Sequence, residues 1–167
     1  MNLSTRQQFI AIIQTHKRIL FKIINSYCKD ADDRKDLEQE ILINIWKSLK
    51  TYDNKYTLST WIYRVALNVA ISHYRKDSKR KAQTQAIDEC VIQFEDDNTI
   101  TTELDQNITL LYAFIDELDR YNKAIMILLL EGNSYKYIGE VLGLTETNVA
   151  TKINRIKKLL KEKFNNH

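Results

Sequence analysis

An all-α fold is predicted: two small helical domains joined by an acidic linker, the C-terminal one ending in a helix-turn-helix. Three observations carry this expectation. The 167 residues contain no proline and only three glycines, whereas sheets joined by tight turns depend on both. Every strand-length apolar run lies inside a longer pattern of helical period. Charge is also segregated along the chain. Residues 1–80 hold 15 Lys and Arg against 8 Asp and Glu, residues 81–120 hold 2 against 10, and residues 121–167 hold 8 against 4. Two basic ends around an acidic middle suggest two polyanion-facing modules and a spacer, although chance clustering of solvated charge would give the same profile.

The first helix is expected from about Ser4 to Lys29, with Phe9, Ile12, Ile13, Leu20, Ile23 and Ile24 on one broad apolar face. Gln14, His16, Lys17, Arg18 and Lys22 interrupt the run, so it reads neither as a signal peptide nor as a membrane span. The turn "DADD" offers Asp32 or Asp33 as the cap of a second helix reaching about Leu49, with Leu37, Ile41, Ile45 and Trp46 as its core stripe. "KTYDNKYTLS" breaks the period and is a loop. Ser59 can cap a third helix, Thr60 to about Lys79, with Ile62, Val65, Ala66 and Val69 inward. Residues 1–80 thus form a basic three-helix domain. Residues 81–103 are polar and acidic and read as a linker, with a small apolar patch at Val91, Ile92 and Phe94 that could dock on a neighbour.

Residues 104–167 form the second domain. A helix from Leu104 points Ile108, Leu111, Ile115 and Leu118 inward, and another from Tyr121 to Leu130 is ended by Gly132. "YKYIGEVLGLTETNVATKI" then carries two short helical patterns separated by one glycine. Ile138, Val141 and Leu142 mark the first, and Gly143 supplies the left-handed residue that ends it. Thr145 can cap the second, and Glu146 stands at its positive end. Val149, Ile153, Ile156 and Leu160 form its apolar face. Gly139 sits where two steeply crossing helices need a small residue. This is a helix-turn-helix layout, although an ordinary helical hairpin in a core has the same punctuation. The opposite face of the last helix separates the two readings. It carries Thr147, Thr151, Asn154, Arg155 and Lys158, and no acidic residue occurs from Thr147 to Lys161. Phosphates want cations and base edges want hydrogen-bonding side chains.

Two further stretches carry candidate function. "STWIYRVALNVAISHYRKDSKRK" interleaves Trp61, Tyr63 and Tyr74 with Arg64, Asn68, His73, Arg75 and Lys76. Rings stack on unpaired bases and cations hold the backbone, so the pattern suits single-stranded nucleic acid. Trp61 and Tyr63 read equally well as core or boundary aromatics. In "DRKDLEQEILINIWKSL", Asp36, Gln39 and Glu40 lie beside Leu42 and Ile43, giving an acidic and apolar face better suited to a protein than to phosphates. A helix sandwiched between two neighbours would look the same.

Catalysis is not indicated. Cys28 and Cys90 have no partner at metal-ligand spacing, and His16, His73 and His167 are scattered. No metal, cofactor, nucleophile–histidine arrangement or phosphate-cradling glycine loop is expected. Cysteine usage suits a reduced, cytoplasmic setting. An alternative to a two-module nucleic-acid binder is a helix-turn-helix regulator whose N-terminal half senses a ligand or dimerises.

"DLEQEILINIWKSL" followed by "STWIYRVALNVAISHYRK" resembles region 2 of the extracytoplasmic-function (ECF) sigma factors of bacteria. "LDRYNKAIMILLLEGNSYKYIGEVLGLTETNVATKINRIKKLL" resembles region 4 of the same family. The resemblance implies a factor without catalytic chemistry or cofactor that binds core RNA polymerase and promoter DNA, helps to melt the promoter, inserts into no membrane and is held by an anti-sigma factor. Region 2 would span residues 1–80 and region 4 residues 104–167. The implied polymerase-binding residues are Asp36, Leu37, Gln39, Glu40, Ile43 and Trp46. The implied minus-ten residues are Trp61, Tyr63, Arg64, Asn68 and Arg75, with Asp53, Asn54 and Lys55 in the preceding loop. The implied minus-thirty-five helix contributes Ala150, Thr151 and Arg155, with Thr147, Lys152, Asn154 and Lys158 on the same surface. Ala150 stands where the family often has a cation, and Leu67 and Ser72 replace an Arg and an Asp. These departures bear on promoter sequence rather than on family.

Overall fold

The computed structural model describes residues 3–81 and 103–165. The described residues form seven α-helices and one 3₁₀ turn, with no strand among them. The chain divides into two compact units, 1–85 and 86–167. The expected linker falls almost wholly outside the described residues, as do Cys90 and the patch at Val91, Ile92 and Phe94.

The first unit is three helices, α1 (Leu3–Tyr27), α2 (Ala31–Ser48) and α3 (Leu58–Lys81), with α3 packed against both others. Its core joins Leu20, Ile23 and Ile24 of α1, Leu37, Ile41 and Ile45 of α2, and Ile62, Ala66, Leu67 and Ala70 of α3. Two caps differ from expectation. Asp30, not Asp32 or Asp33, caps α2, because its carboxylate accepts from the Asp32 and Asp33 amides at 2.8 and 3.2 Å. Asp32 and Asp33 then lie in the first turn, at the positive end of the helix dipole. α3 begins before Ser59: the Thr57 hydroxyl accepts from the Thr60 amide at 3.3 Å, and the Trp61 amide donates to the Thr57 carbonyl. The buried arc of α3 is also wider than the expected stripe. Tyr63, Leu67 and Ile71 are buried while Val65 and Val69 are only half-buried.

The second unit contains α4 (Glu103–Glu117), α5 (Arg120–Leu130), α6 (Tyr135–Leu142) and α7 (Glu146–Asn165). Asp119 caps α5 and Ser134 caps α6. α5 is the central element, with Ala124, Ile125 and Leu128 fully buried. Lys123 is buried too, its ammonium 2.9 Å from Asp116 of α4. Phe114 and Ile115 fasten the C-terminal end of α4, whereas Ile108, expected inward, is 44% exposed. Lys163, near the end of α7, pairs with Glu117 at the end of α4.

Candidate nucleic-acid interface

Gly143 ends α6 with φ 70°, and Thr145 opens α7 by accepting the Asn148 amide on its hydroxyl at 3.2 Å. Both features follow from local chemistry, a left-handed residue and then an N-cap. The carbonyl of Gly139 receives the amides of Gly143 and Leu144, so the chain folds back tightly over α6. A Cβ on Gly139 would stand 2.6 Å from the Leu144 oxygen. The small residue is therefore required by the turn itself, closer to home than the helix crossing expected from the sequence.

This turn sets which faces of α7 are covered. Val149, Ile153 and Ile156 are buried, and Thr147, Thr151, Asn154, Arg155 and Lys158 are exposed. Ala150 and Lys152 lie at the boundary, half-buried. The Thr151 hydroxyl donates to the Thr147 carbonyl at 2.9 Å, so it offers solvent its lone pairs and its methyl group. Apart from Ala150 and the 53% exposed Leu159 the face is polar and basic, suited to base edges near its start and phosphates further on.

In the first unit, Trp61, Arg64 and Asn68 lie on the outer part of α3, with Asn68 exposed and the other two half-buried. The loop before α3 folds against them. The Tyr52 ring meets the Trp61 ring at 5.1 Å, and the Arg64 guanidinium lies 4.8 Å above the Tyr56 ring. Asp53, Asn54 and Lys55 form the exposed tip, where Asn54 takes φ 58° and the Asp53 carboxylate accepts the Lys55 amide at 3.1 Å. Asn tolerates this left-handed conformation better than most residues. Tyr63 does not join the strip. It is 8% exposed, turned into the core that α3 shares with its neighbours. The Arg75 side chain, with those of Tyr74 and Lys76, lies outside the described residues. Tyr52 and Tyr56 were not singled out from the sequence, although their i, i+4 spacing around a polar tip was there to be read.

On α2, Asp36, Gln39 and Ile43 occupy successive turns of one exposed face. Ile43 is 51% exposed, an apolar side chain open to solvent. Glu40 flanks it, its carboxylate 3.0 Å from His73 Nδ1 of α3. Trp46 is half-buried, edge-on to Phe9 of α1 at 5.0 Å. Leu37 is fully buried and cannot belong to the exposed face; it packs beneath it. Among the described residues no His, Cys, Asp and Glu cluster could hold a metal, and no helix is long and apolar enough to cross a membrane.

Two family models match the chain in order, sigma-70 region 2 over residues 12–80 and sigma-70 region 4 over residues 108–160. The chain is similar to the RNA polymerase sigma factor SigV of Bacillus subtilis (strain 168), at 26% identity over 95% of this chain and 92% of the relative. It is also similar to the ECF RNA polymerase sigma factor SigX of the same organism, at 26% identity over 93% of this chain and 83% of the relative. Among solved structures it resembles CnrH, determined in complex with the cytosolic domain of CnrY. The TM-score is 0.64 and the identity 18%, over 96% of this chain and 89% of that one. It resembles equally the sigma factor RpoE of Bartonella quintana in complex with the anti-sigma factor NepR, with TM-score 0.64 and 16% identity over 94% of each chain.

Proposed function

The chain belongs to the ECF subfamily of RNA polymerase sigma factors, and from that premise we propose how its two helical units divide the work of transcription initiation. It binds core RNA polymerase and promoter DNA and starts transcription; the residue-level division below is our reading. Residues 1–80 dock on polymerase and capture the melted minus-ten strand. Residues 104–167 read the minus-thirty-five duplex. The factor supplies binding energy and no catalytic group, and it works in the cytoplasm, where polymerase is.

The observation that carries this division is the contrast between the two outward helix faces. The exposed face of α7 is mainly polar and basic, with Leu159 its one large apolar side chain and no acidic residue from Thr147 to Lys161. The exposed face of α2 is acidic and apolar at Asp36, Gln39 and Ile43, with a cation, Lys47, one turn further on. The first suits DNA, because cations release the counterions condensed on phosphates. The second would be repelled by phosphates and suits a basic and apolar protein surface. Trp61, Arg64, Asn68 and Lys55 supply the ring and cations that an unpaired strand requires. On this reading Thr151 and Arg155 contact bases, Thr147 and Asn154 flank them, and Lys152 and Lys158 hold phosphates. Ala150 leaves one place on this strip without a polar group.

An anti-sigma factor is proposed as the regulatory partner, by analogy with the complex of RpoE and NepR. Pull-down of core RNA polymerase by the full chain, followed by run-off transcription from a promoter the holoenzyme selects from a randomised library, tests the whole proposal. DNA binding without polymerase-dependent transcription would favour a helix-turn-helix regulator instead.

A further inference from the structure

The loop between α2 and α3 and the outer side of α3 are joined in a closed circuit of four residues, Tyr52, Tyr56, Trp61 and Arg64. The Tyr52 ring packs on Trp61 at 5.1 Å with the planes inclined at 42°. The Tyr52 hydroxyl donates to the Tyr56 carbonyl at 2.7 Å. The Tyr56 ring carries the Arg64 guanidinium 4.8 Å from its centroid. Trp61 and Arg64 are one turn apart on α3, so the circuit closes through the helix. Loop geometry is thus fixed at both ends by the two α3 side chains assigned to the melted strand.

A second observation points to the ligand. Lys55 Nζ also lies 5.7 Å from the Tyr56 centroid, so two cations gather about one ring. Two cations beside one aromatic face make a local positive patch, and a phosphodiester is the part of a nucleic-acid strand that such a patch attracts. The cost of ordering a long Arg side chain is already met in the free protein, so less is lost when the strand arrives.

We propose that Tyr52 and Tyr56 are positioning residues, holding Trp61, Arg64 and Lys55 in the pose that captures the phosphodiester backbone and an unpaired base of the melted strand. The proposal rests on the reading of α3 as the strand-capturing face and adds which residues set its geometry. Neither tyrosine need touch a base. Tyr56 acts through the guanidinium, and Tyr52 acts by fixing Tyr56 and one side of Trp61.

The test is a double-mutant cycle in holoenzyme made with the full chain. It uses a promoter selected from a randomised library, as intact duplex and as a copy mismatched across the minus-ten region. Permanganate reactivity of unpaired thymines follows open-complex formation, and thermal unfolding of each variant follows the fold. Tyr56→Leu should slow opening on duplex roughly two- to fivefold, the factor expected for an exposed cation–π contact, while Tyr56→Phe stays near wild type. The Tyr56→Leu, Arg64→Ala double variant should be no slower than Arg64→Ala alone. Tyr52→Phe keeps both rings and removes only the hydrogen bond, so it reports the same effect should Tyr56→Leu disturb folding. If Arg64→Ala slows opening but the losses multiply in the double variant, the proposal is overturned and the reading of α3 stands. If Arg64→Ala and Trp61→Ala leave opening and binding unchanged on both templates, the reading fails and takes the proposal with it.

Discussion

Gly139 and Leu144 approach so closely that a Cβ on the glycine would lie 2.6 Å from the Leu144 carbonyl oxygen. That oxygen is backbone and cannot swing aside. Gly139→Ala must therefore push α7 away from α6 or break the capping bonds to the Gly139 carbonyl. We expect a loss of about 1–3 kcal/mol, the range for overpacking, measured by urea unfolding of the full chain. An unchanged midpoint would show that the turn relaxes freely.

Gly143 should fail for a different reason. Nothing lies within 4 Å of a Cβ built there, but φ is +70°. Gly143→Ala should cost about 1 kcal/mol through backbone strain alone, and Gly143→Asn should cost less, since Asn adopts this conformation more readily. Equal losses for Ala and Asn would point to crowding that the geometry does not contain.

On α2, exposure separates docking from folding. Ile43 is half in solvent and Leu37 is fully enclosed. Ile43→Lys should weaken polymerase binding by at least about 1 kcal/mol, as loss of an interface anchor does, and leave the melting temperature nearly unchanged. Leu37→Ala should instead destabilise the first unit by about 2–5 kcal/mol. Titration of core polymerase with each variant, beside thermal melts, checks both. Full polymerase affinity in Ile43→Lys would remove this face from the interface.

His16 gives the fold a dependence on pH. Burial holds its pKa below the usual 6.5, and its Nδ1 is 3.5 Å from the Ser59 hydroxyl. As pH falls through the usual value, the unfolded chain takes up a proton that the folded chain resists. Stability from this site is therefore full above that value and declines on acidification. His16→Gln should flatten the fall in urea midpoint between pH 7.5 and pH 5.5. An identical fall in the variant would place the sensitivity elsewhere.

What could be read from the sequence was what local chemistry decides. Gly143 and Thr145 form an ending and a beginning within three residues, and no distant contact changes their meaning. Asp30 was missed because three carboxylates crowd that turn, and only the path of the chain selects the one that reaches two amides. The stripe of Ile62, Val65, Ala66 and Val69 left Leu67 out and Tyr63 undecided, because period alone gives one narrow face. α3 lies against both α1 and α2, so its buried arc widens to take them in. Ile108 shows the reverse: its period is right, yet α4 is fastened at its other end by Phe114 and Ile115. The Tyr56 and Arg64 contact could not be read because it depends on how a loop doubles back over a helix.

The exposed strip of α7 makes the most specific prediction. Arg155 and Lys158 are both exposed and lie less than one turn apart, yet their expected roles differ. A guanidinium at a base edge reads sequence through paired donors, whereas an ammonium at a phosphate reads only charge. Arg155→Ala should cost about 1–3 kcal/mol on the preferred minus-thirty-five element and relax preference at one position. Lys158→Ala should weaken every element alike and lower the salt slope by about one unit. Transcription by holoenzyme from a panel of mutated minus-thirty-five elements, at several salt concentrations, distinguishes the two. If Arg155→Ala lowers transcription equally from every element, Arg155 contacts a phosphate or the polymerase, and the reading of sequence passes to Thr151 and Asn154.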